Sequence, residues 1–290
     1  MPADASPHPR RLRPGHLRPG QRVGTVTRGT TNTNRLRRVD RWIAAHPALL
    51  HAVDPFVVDL GYGASGVTTL ELAARLSHVR PGVHVLGLEI EPERVRVARE
   101  QLAGVRAGEL HFPADLRVDF AVGGFEVPVA GGARPAVIRA FNVLRQYDEA
   151  EVASAWAMMQ SRLAPGGLLV EGTCDELGRV SSWVGIGASG PRTFTVSLRR
   201  SGLELPSIVA ERLPKALIHR NVPGERIHAL LGDLDLAWRT HSAMAVYGPS
   251  QRWIATVATL RHEGWPIIGG PRRARLGELT LPWTAVAPLD

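Results

Sequence analysis

Three glycines and one acid lie close together in residues 57–69, which read VVDLGYGASGVTT. Gly61, Gly63 and Gly66 have the spacing G-x-G-x-x-G directly after an apolar run, and Asp59 lies two residues before the first of them. Glycines at a strand-to-helix turn let a ligand approach the backbone, and the start of the following helix offers free N–H groups. The spacing therefore predicts a nucleotide-binding turn, and the glycines alone leave its ligand open.

Two carboxylates bear on the ligand of this turn. Asp59 would repel the pyrophosphate of a dinucleotide, whereas S-adenosylmethionine presents a sulfonium and an ammonium to the same strand end. Glu89 ends the next apolar run, in LGLEIEPERV, and a carboxylate there can accept hydrogen bonds from both hydroxyls of a ribose. Because both ligands contain such a ribose, Glu89 predicts an adenosine ligand in either case and Asp59 favours S-adenosylmethionine.

Polar side chains also follow the later apolar runs. Asn142 lies in FNVL at the end of a predicted strand, and Tyr147 follows shortly after it. Ligands of open α/β sheets bind outside the carboxyl ends of the strands, so we expect Asn142 to face the ligand crevice. Asn142, as an orienting amide, and Tyr147 are the candidate catalytic residues. Glu171 and Asp175, near the next strand exit, are further candidates for a general base.

These residues need a scaffold that brings strand ends together. Short β-branched runs alternate with amphipathic stretches, and this pitch predicts right-handed strand–helix–strand units. The predicted fold class is α/β, with a doubly wound, mostly parallel, Rossmann-like sheet. A lead-in helix is predicted over 34–50, and SSWVGI and RTFTVSL form either a terminal hairpin or two strands with a shortened crossover. The predicted strands are FVVDL, VHVLGLEI, VDFAV, AVIRAFNVL and GLLVEGT, and the predicted helices between them are VTTLELAARL, PERVRVAREQL and EAEVASAWAMMQSRL.

The segments DLGYGASG, LEIEPERV, FNVL and LAPGGLLV, in this order, resemble class I S-adenosylmethionine-dependent methyltransferases over 55–175. The resemblance implies that the methionine end of the cofactor lies at the glycine turn, the ribose at Glu89 and the adenine beside GGFE, residues 123–126. Two positions depart from the family pattern: Ser65 occupies the slot of the third glycine, and Gly124 stands where an aspartate often accepts from the adenine amine. The implied cofactor-binding residues are Asp59, Gly61, Tyr62, Gly63, Glu89, Ile90, Gly124, Phe125 and Asn142.

The positive charge is concentrated at the N-terminus. Of a net charge of +8, residues 1–40 contribute +7, from nine arginines against two aspartates. We predict a flexible basic arm over 1–33, an S-adenosylmethionine-binding methyltransferase domain over 34–200, and an appended region over 201–290 that roofs the substrate site. Such an arm either follows phosphates or stays solvated. Its end, RGTTNTNRLRR at 28–38, can also fold over the cofactor as a lid.

These features predict an enzyme, an S-adenosylmethionine-dependent methyltransferase that acts on a small molecule. A small acceptor is favoured because the basic charge is confined to the arm and the rest of the chain is nearly neutral. The first alternative is an RNA methyltransferase that grips its substrate with the arm. The second is an NAD-dependent oxidoreductase or a catalytically silent Rossmann-like binding protein. Proximity and desolvation supply most of the rate of methyl transfer, so no catalytic side chain is obligatory.

Composition bears on the remaining classes of protein. The single cysteine, Cys174, cannot form an internal disulfide, and no Cys/His clustering suggests a metal site, so no metal is expected. The sequence predicts neither a signal peptide nor a membrane-spanning run. We therefore expect a cytoplasmic protein with no membrane partner, and its oligomeric state stays open.

Overall fold

The computed structural model describes residues 22–289, so residues 1–21 of the predicted basic arm lie outside the described part of the chain. The strands are β1 (Phe56–Leu60), β2 (His84–Glu89), β3 (Val118–Val122), β4 (Val137–Phe141), β5 (Leu168–Cys174), β6 (Val180–Gly187), β7 (Gly190–Leu198) and β8 (Glu278–Pro282). The α-helices are α1 (Arg37–Ala44), α2 (Pro47–Leu50), α3 (Val67–Ser77), α4 (Pro92–Arg106), α5 (Glu149–Gln160), α6 (Lys215–Ile218), α7 (Arg226–Thr240), α8 (Pro249–His262) and α9 (Pro271–Ala274). Short 3-10 helices occupy Ala130–Gly132, Leu144–Gln146, Pro206–Arg212, Ser242–Tyr247 and Trp283–Ala285.

The eight strands form one sheet in the order β3-β2-β1-β4-β5-β6-β7-β8. Strands β1 to β5 pair in parallel, and β1 lies between β2 and β4, so the strand order reverses at this point. A ligand crevice forms at such a reversal, outside the carboxyl ends of the strands. The sheet confirms the predicted doubly wound, mostly parallel, Rossmann-like α/β fold, and it places the ends of β2, β1, β4 and β5 along one edge.

The last strands form an antiparallel meander from β5 to β8. A two-residue turn between Gly187 and Gly190 joins β6 to β7, which decides between the two sequence alternatives in favour of the hairpin. Strand β8 comes from the predicted appended region and pairs with β7. The appended region therefore completes the same sheet, and the boundary placed between residues 200 and 201 stays a prediction.

The predicted lead-in helix is divided into α1 and α2. Pro47 begins α2, and His46 before it is extended, with ψ 136°, because proline disfavours the helical conformation in the preceding residue. The Nδ1 atom of His46 accepts a hydrogen bond from the Ala48 N–H at 3.1 Å, which caps α2. The chain therefore turns at residues 45 and 46, and α1 packs against α3.

Each face of the sheet is covered by its own apolar core. One core joins the parallel strands to α1, α3 and α4, and the other joins the sheet to α5, α7 and α8. Trp238 and Trp253 of the appended region are buried in the second core, in edge contact with ring centroids 6.2 Å apart. These two tryptophans therefore serve packing. No helix within residues 22–289 is long and apolar enough to cross a membrane.

A fully buried guanidinium near the centre of the sheet joins three elements. Arg139 on β4 makes two hydrogen bonds to Asp59 on β1, from Nε at 2.8 Å and from Nη2 at 2.6 Å, and it also pairs with Asp40 on α1. Asp40 accepts a further bond from Arg75 on α3, and Asp59 accepts one from the Thr69 hydroxyl. Buried charges persist when they are paired and hydrogen-bonded. This network, here called the Arg139 network, therefore fixes α1 and α3 onto the strand that carries the glycine turn.

We expect Arg139→Met to lower the free energy of unfolding by about 3 to 5 kcal/mol, because it leaves Asp59 buried without a cation and removes one of the two cations that pair with Asp40. Urea denaturation at neutral pH measures the change. Arg96→Met is the matched control, since Arg96 pairs with Glu93 and Glu100 on an exposed face of α4 and its loss should change the free energy of unfolding far less. Equal losses in the two variants would contradict a central role for Arg139.

Candidate functional site

The turn after β1 has a backbone conformation that requires glycine. Gly61 and Gly63 have φ angles of 71° and 92°, in the left-handed region. A Cβ on Gly61 would lie 2.6 Å from the side chain of Val143, so a larger residue would disturb the contact between the turn and the chain after β4. Gly66 has an ordinary φ of −71° at the start of α3, but a Cβ there would lie 2.6 Å from the ring of Phe120. The third glycine therefore serves close packing.

The carboxylate of Glu89 lies directly against this turn. Its Oε2 accepts a hydrogen bond from the Gly63 N–H at 3.0 Å, and its Oε1 accepts one from the Ile90 N–H at 2.9 Å. The side chain is buried, with Arg94 3.7 Å from Oε1. Oε1 also accepts a longer hydrogen bond from the Glu91 N–H at 3.4 Å. An ionised carboxylate has about four acceptor positions, so one position remains for a ribose hydroxyl. The structure thus brings Glu89 and the glycine turn together and gives Glu89 a second task, that of holding the turn.

Asp59 faces a cation that belongs to the protein. Its Oδ1 accepts from Arg139, and its Oδ2 accepts from both Arg139 and the Thr69 hydroxyl. Sequence reasoning assigned this carboxylate to the cations of the cofactor, but its charge is already balanced within the Arg139 network. Its contact with a cofactor stays a prediction, and its charge no longer separates one adenosine ligand from another.

A cavity of about 580 Å³, here called the large cavity, opens at the carboxyl edge of β1 and β4 and extends to the residues after β5. This volume lies in the range of small-molecule sites. Sequence-predicted residues that line it are Asp59, Gly61, Tyr62, Gly63 and Asn142. These residues come from two strand ends, so the cavity brings the glycine turn and the candidate orienting amide to one space.

Asn142 joins the ends of β4 and β5 at the wall of this cavity. Its φ of 60° lies in the left-handed region, which asparagine tolerates better than most residues. Its Oδ1 accepts from the Cys174 N–H at 2.9 Å and its Nδ2 donates to the Cys174 sulfur at 3.3 Å, which leaves one amide N–H for another partner. Burial raises the pKa of the Cys174 thiol, so this cysteine suits packing rather than nucleophilic attack.

Residues 22–31, here called the strap, lie across the groove between the end of β2 and the turn after β3. The Phe125 N–H donates to the carbonyl of Val23 at 2.9 Å, and the Val23 N–H donates to Oε2 of Glu126 at 2.8 Å. Farther along, the Ala64 N–H of the glycine turn donates to the strap carbonyl of Gly29 at 2.8 Å. The strap is therefore bonded to both walls of the groove.

The strap occupies the place that the sequence assigned to adenine. Gly24 lies among three side chains, and a Cβ on it would lie 3.1 Å from the Tyr147 hydroxyl, 3.4 Å from Ile90 and 3.9 Å from Phe125. A Cβ on Gly124 would lie 2.0 Å from the strap carbonyl of Val23. The space that remains between the strap and the groove is a cavity of about 20 Å³. An adenine ring therefore requires the strap to move outward.

Two side chains of the domain hold the strap in place. The Tyr147 hydroxyl accepts from the Thr25 N–H at 2.6 Å, and Arg94 donates to the carbonyl of Thr27 at 2.7 Å. The Tyr147 ring makes edge contact with Phe125 at 5.2 Å between centroids. Tyr147 thus lines the small cavity, whereas Asn142 lines the large one, and the two candidate catalytic residues lie in different compartments.

Three of the candidate side chains, those of Tyr62, Glu171 and Asp175, do not point into the large cavity. Tyr62 packs edge to face against Phe120, so it meets the site through its backbone, where its carbonyl accepts from the Thr31 hydroxyl at 3.0 Å. Glu171 is completely buried, and burial raises its pKa to about 8, while Asp175 binds the N–H of Arg179 in the turn after β5. Neither acid is placed to serve as a general base at the large cavity. Within residues 22–289, no group of three or more His, Cys, Asp or Glu is arranged to hold a metal ion.

Sequence reasoning missed two arginines of the site, Arg145 and Arg212. Both line the large cavity, together with Arg28 and Arg35 from the segment that the sequence singled out as a possible lid. Arg212 lies far along the chain in the appended region, and no motif marks it. Arg145 could have been identified from its position directly after FNVL, at the end of a predicted strand.

Comparison with known proteins finds similar solved structures but no matching family. No protein-family model matches the chain, and no curated protein matches it. Mitomycin 7-O-methyltransferase is 26% identical, with a TM-score of 0.35 over 48% of this chain and 36% of that one. Magnesium protoporphyrin IX methyltransferase from Synechocystis is 18% identical, with a TM-score of 0.36 over 48% and 54%. The CcbJ methyltransferase from Streptomyces caelestis is 20% identical, with a TM-score of 0.35 over 57% and 66%. This chain covers less than two thirds of the length of each of the three.

We expect Tyr147→Phe to loosen the strap, because it removes the acceptor of the Thr25 N–H but keeps the ring contact with Phe125. One net hydrogen bond corresponds to about a 2- to 10-fold change in the strap-opening equilibrium. Hydrogen exchange of the Thr25 amide should accelerate by that factor. Tyr247→Phe, at an exposed tyrosine, is the matched control and should leave the amide unchanged. An unaltered Thr25 exchange rate in Tyr147→Phe would show that other contacts hold the strap.

Proposed function

We propose that the protein is an S-adenosylmethionine-dependent methyltransferase that acts on a small molecule. The observation that carries the proposal is the contact between Glu89 and Gly63 at the reversal of the strand order, with the large cavity continuing from there to Asn142. A ribose at Glu89 and a methionine chain over the turn would extend from β2 to β1. The part of the cavity beyond β4 and β5 is then free for an acceptor.

The hydrogen bonds of the turn favour this ligand over a dinucleotide. The Gly63 N–H donates to Glu89, and the Ala64 N–H donates to the carbonyl of Gly29. A pyrophosphate binds through such backbone N–H groups, and the Glu89 carboxylate, 3.0 Å from the Gly63 nitrogen, would repel it. A methionine chain places no phosphate against these groups, so the turn can keep its present bonds.

The residues at the site fit the cofactor on condition that the strap moves. Glu89 would accept from the ribose, and Ile90 and Phe125 would flank the adenine once Gly24 leaves the space between them. The cofactor supplies an electrophilic methyl group on its sulfonium. The chain contributes alignment and the exclusion of water. The Asn142 amide orients the acceptor, and strap residues Thr27 to Thr31 enclose the large cavity.

Calorimetric titration tests the proposed ligand. We expect S-adenosylhomocysteine to bind and NAD to show no binding at the same concentrations. The opposite pattern would overturn the proposal in favour of an oxidoreductase. Binding of S-adenosylhomocysteine without methylation of any acceptor would favour a silent binding protein.

We expect Glu89→Gln to weaken S-adenosylhomocysteine binding by about 10-fold or more, because the amide replaces a charged acceptor of the ribose hydroxyls. Glu91→Gln is the matched control, since it makes the same change in charge two residues away, at the start of α4. Glu91→Gln should change the dissociation constant by less than about 2-fold, because a charge that does not contact the ligand is screened by solvent and salt. A larger effect in Glu91→Gln than in Glu89→Gln would move the ribose contact to Glu91.

A further inference from the structure

Four arginines converge on the large cavity from segments that are far apart in the chain. Arg28 and Arg35 belong to the strap and the residues that follow it, Arg145 follows β4, and Arg212 ends a 3-10 helix of the appended region. Among residues 22–289, none of the four forms a salt bridge with a carboxylate. Of the acids that line the cavity, Asp59 is already paired with Arg139, and only the exposed Glu176 is left. The cavity therefore carries an excess of positive charge.

Hydrogen bonds account for the position of Arg35 but not for those of Arg145 and Arg212. Arg35 donates to the carbonyls of Thr30 and Asp175, so it links the strap to the end of β5. Arg145 donates to one backbone carbonyl, and the buried Nε of Arg212 has no hydrogen-bond partner within the described residues. Half-burying two guanidiniums beside each other costs free energy that a pair of carboxylates would normally offset.

The backbone holds both arginines firmly. The carbonyl of Arg212 accepts from the hydroxyls of Thr173 at 2.6 Å and Ser182 at 2.5 Å, which anchors it to β5 and β6. Arg145 lies in the 3-10 helix directly after β4 and bonds to the carbonyl of Glu211 at 2.8 Å, next to Arg212. Burial lowers the pKa of Arg145, the neighbouring charge of Arg212 lowers it further, and the carboxylate of Glu211 offsets only part of this shift. The two guanidiniums are therefore close neighbours on fixed elements.

The order of the sheet separates these arginines from the cofactor. Glu89, the proposed ribose ligand, ends β2, and the glycine turn follows β1. Arg145 follows β4, and the carbonyl of Arg212 is bonded to β5 and β6. A cofactor that extends from β2 to β1 thus reaches the cavity from one end, and the arginines lie at the other. This is the acceptor end of the cavity.

We infer that the methyl acceptor is a small molecule that carries an oxyanion, a carboxylate or a phosphate, and that Arg145 and Arg212 bind this group. The inference rests on the proposed function, because it takes the far end of the cavity as the acceptor site. The guanidinium fork matches both carboxylate and phosphate oxygens and forms paired hydrogen bonds with either. Binding of the oxyanion supplies the missing countercharge and places the remainder of the acceptor near Asn142, which lines the same cavity.

The test measures binding of simple probes to the full-length protein saturated with S-adenosylhomocysteine. Benzoate and inorganic phosphate represent the two oxyanions, benzamide is the neutral match of benzoate, and a short oligouridylate represents RNA. The variant is Arg145→Gln/Arg212→Gln, with Arg145→Lys/Arg212→Lys to keep the charge without the fork. Arg106→Gln/Arg239→Gln, at two exposed arginines, is the control with the same change in net charge.

We expect benzoate or phosphate to bind at millimolar concentrations and benzamide not to bind. The Gln pair should weaken the anion about 10-fold or more, the Lys pair less, and the control should not change it. The dissociation constant for S-adenosylhomocysteine should stay within about 2-fold in all variants. A Gln pair that no longer folds, judged by circular dichroism, is replaced by the Lys pair as the deciding variant.

Four results would overturn the inference. Equal binding of benzoate and benzamide, or no anion binding at all, would remove the oxyanion. A large loss of S-adenosylhomocysteine affinity in the Gln pair would assign the arginines to the carboxylate of the cofactor. Oligouridylate binding far tighter than phosphate, with a steep dependence on salt, would assign the site to RNA. Failure of the unaltered protein to bind S-adenosylhomocysteine would instead contradict the proposed function, and anion binding measured without it would still report on the two arginines.

Discussion

The buried charge of Arg139 is the constraint on which the site depends. A guanidinium in the middle of a parallel sheet is tolerated only because Asp59 and Asp40 satisfy it from two sides. One of these acids lies on the strand before the glycine turn, and the other lies on α1, which begins six residues after the end of the strap. The network therefore couples the position of the N-terminal segment to the strand that presents the turn.

The strap follows from this coupling. Because α1 is fixed on the sheet, the residues before it are directed along the carboxyl edge, where they meet the glycine turn, the end of β2 and the loop after β3. The Val23 carbonyl accepts from the Phe125 N–H, and the Thr25 N–H donates to the Tyr147 hydroxyl. Thr27 to Thr31 form a wall of the large cavity. The same segment thus closes one part of the groove and encloses the other, so movement of the strap would affect both parts together.

The proposed acceptor end of the large cavity has a different physical character from the proposed adenine site beneath the strap. Around Gly24 the walls are largely apolar, with Ile90, Phe125 and the ring of Tyr147 in contact. Around Arg145 and Arg212 the walls carry unbalanced positive charge. A nucleoside and an anion would therefore each find a matching surface, and the glycine turn lies between the two ends.

The sequence by itself determined the fold class, the strand that carries the turn, and the acid that lies against it. These follow from local rules: β-branched runs favour strands, positive φ angles need glycine, and parallel strands direct their carboxyl ends to one edge. Gly61, Gly63 and Glu89 were identified for these reasons. The pattern also indicated the hairpin of β6 and β7 as one of two alternatives, and pairing across the sheet decided it.

Only the tertiary structure decided what each polar group contacts. Asp59 pairs with the side chain of Arg139, 80 residues later in the chain, and no local pattern indicates this contact. A count of charges along the chain places the positive charge in the arm, and it cannot show that Arg145 and Arg212 lie close together in space. The strap lies within the predicted flexible arm over 1–33, and nothing local marks Gly24 as a residue that fits between Ile90 and Phe125. In each case the deciding contact joins residues that are distant in sequence, and such contacts are fixed by packing rather than by spacing.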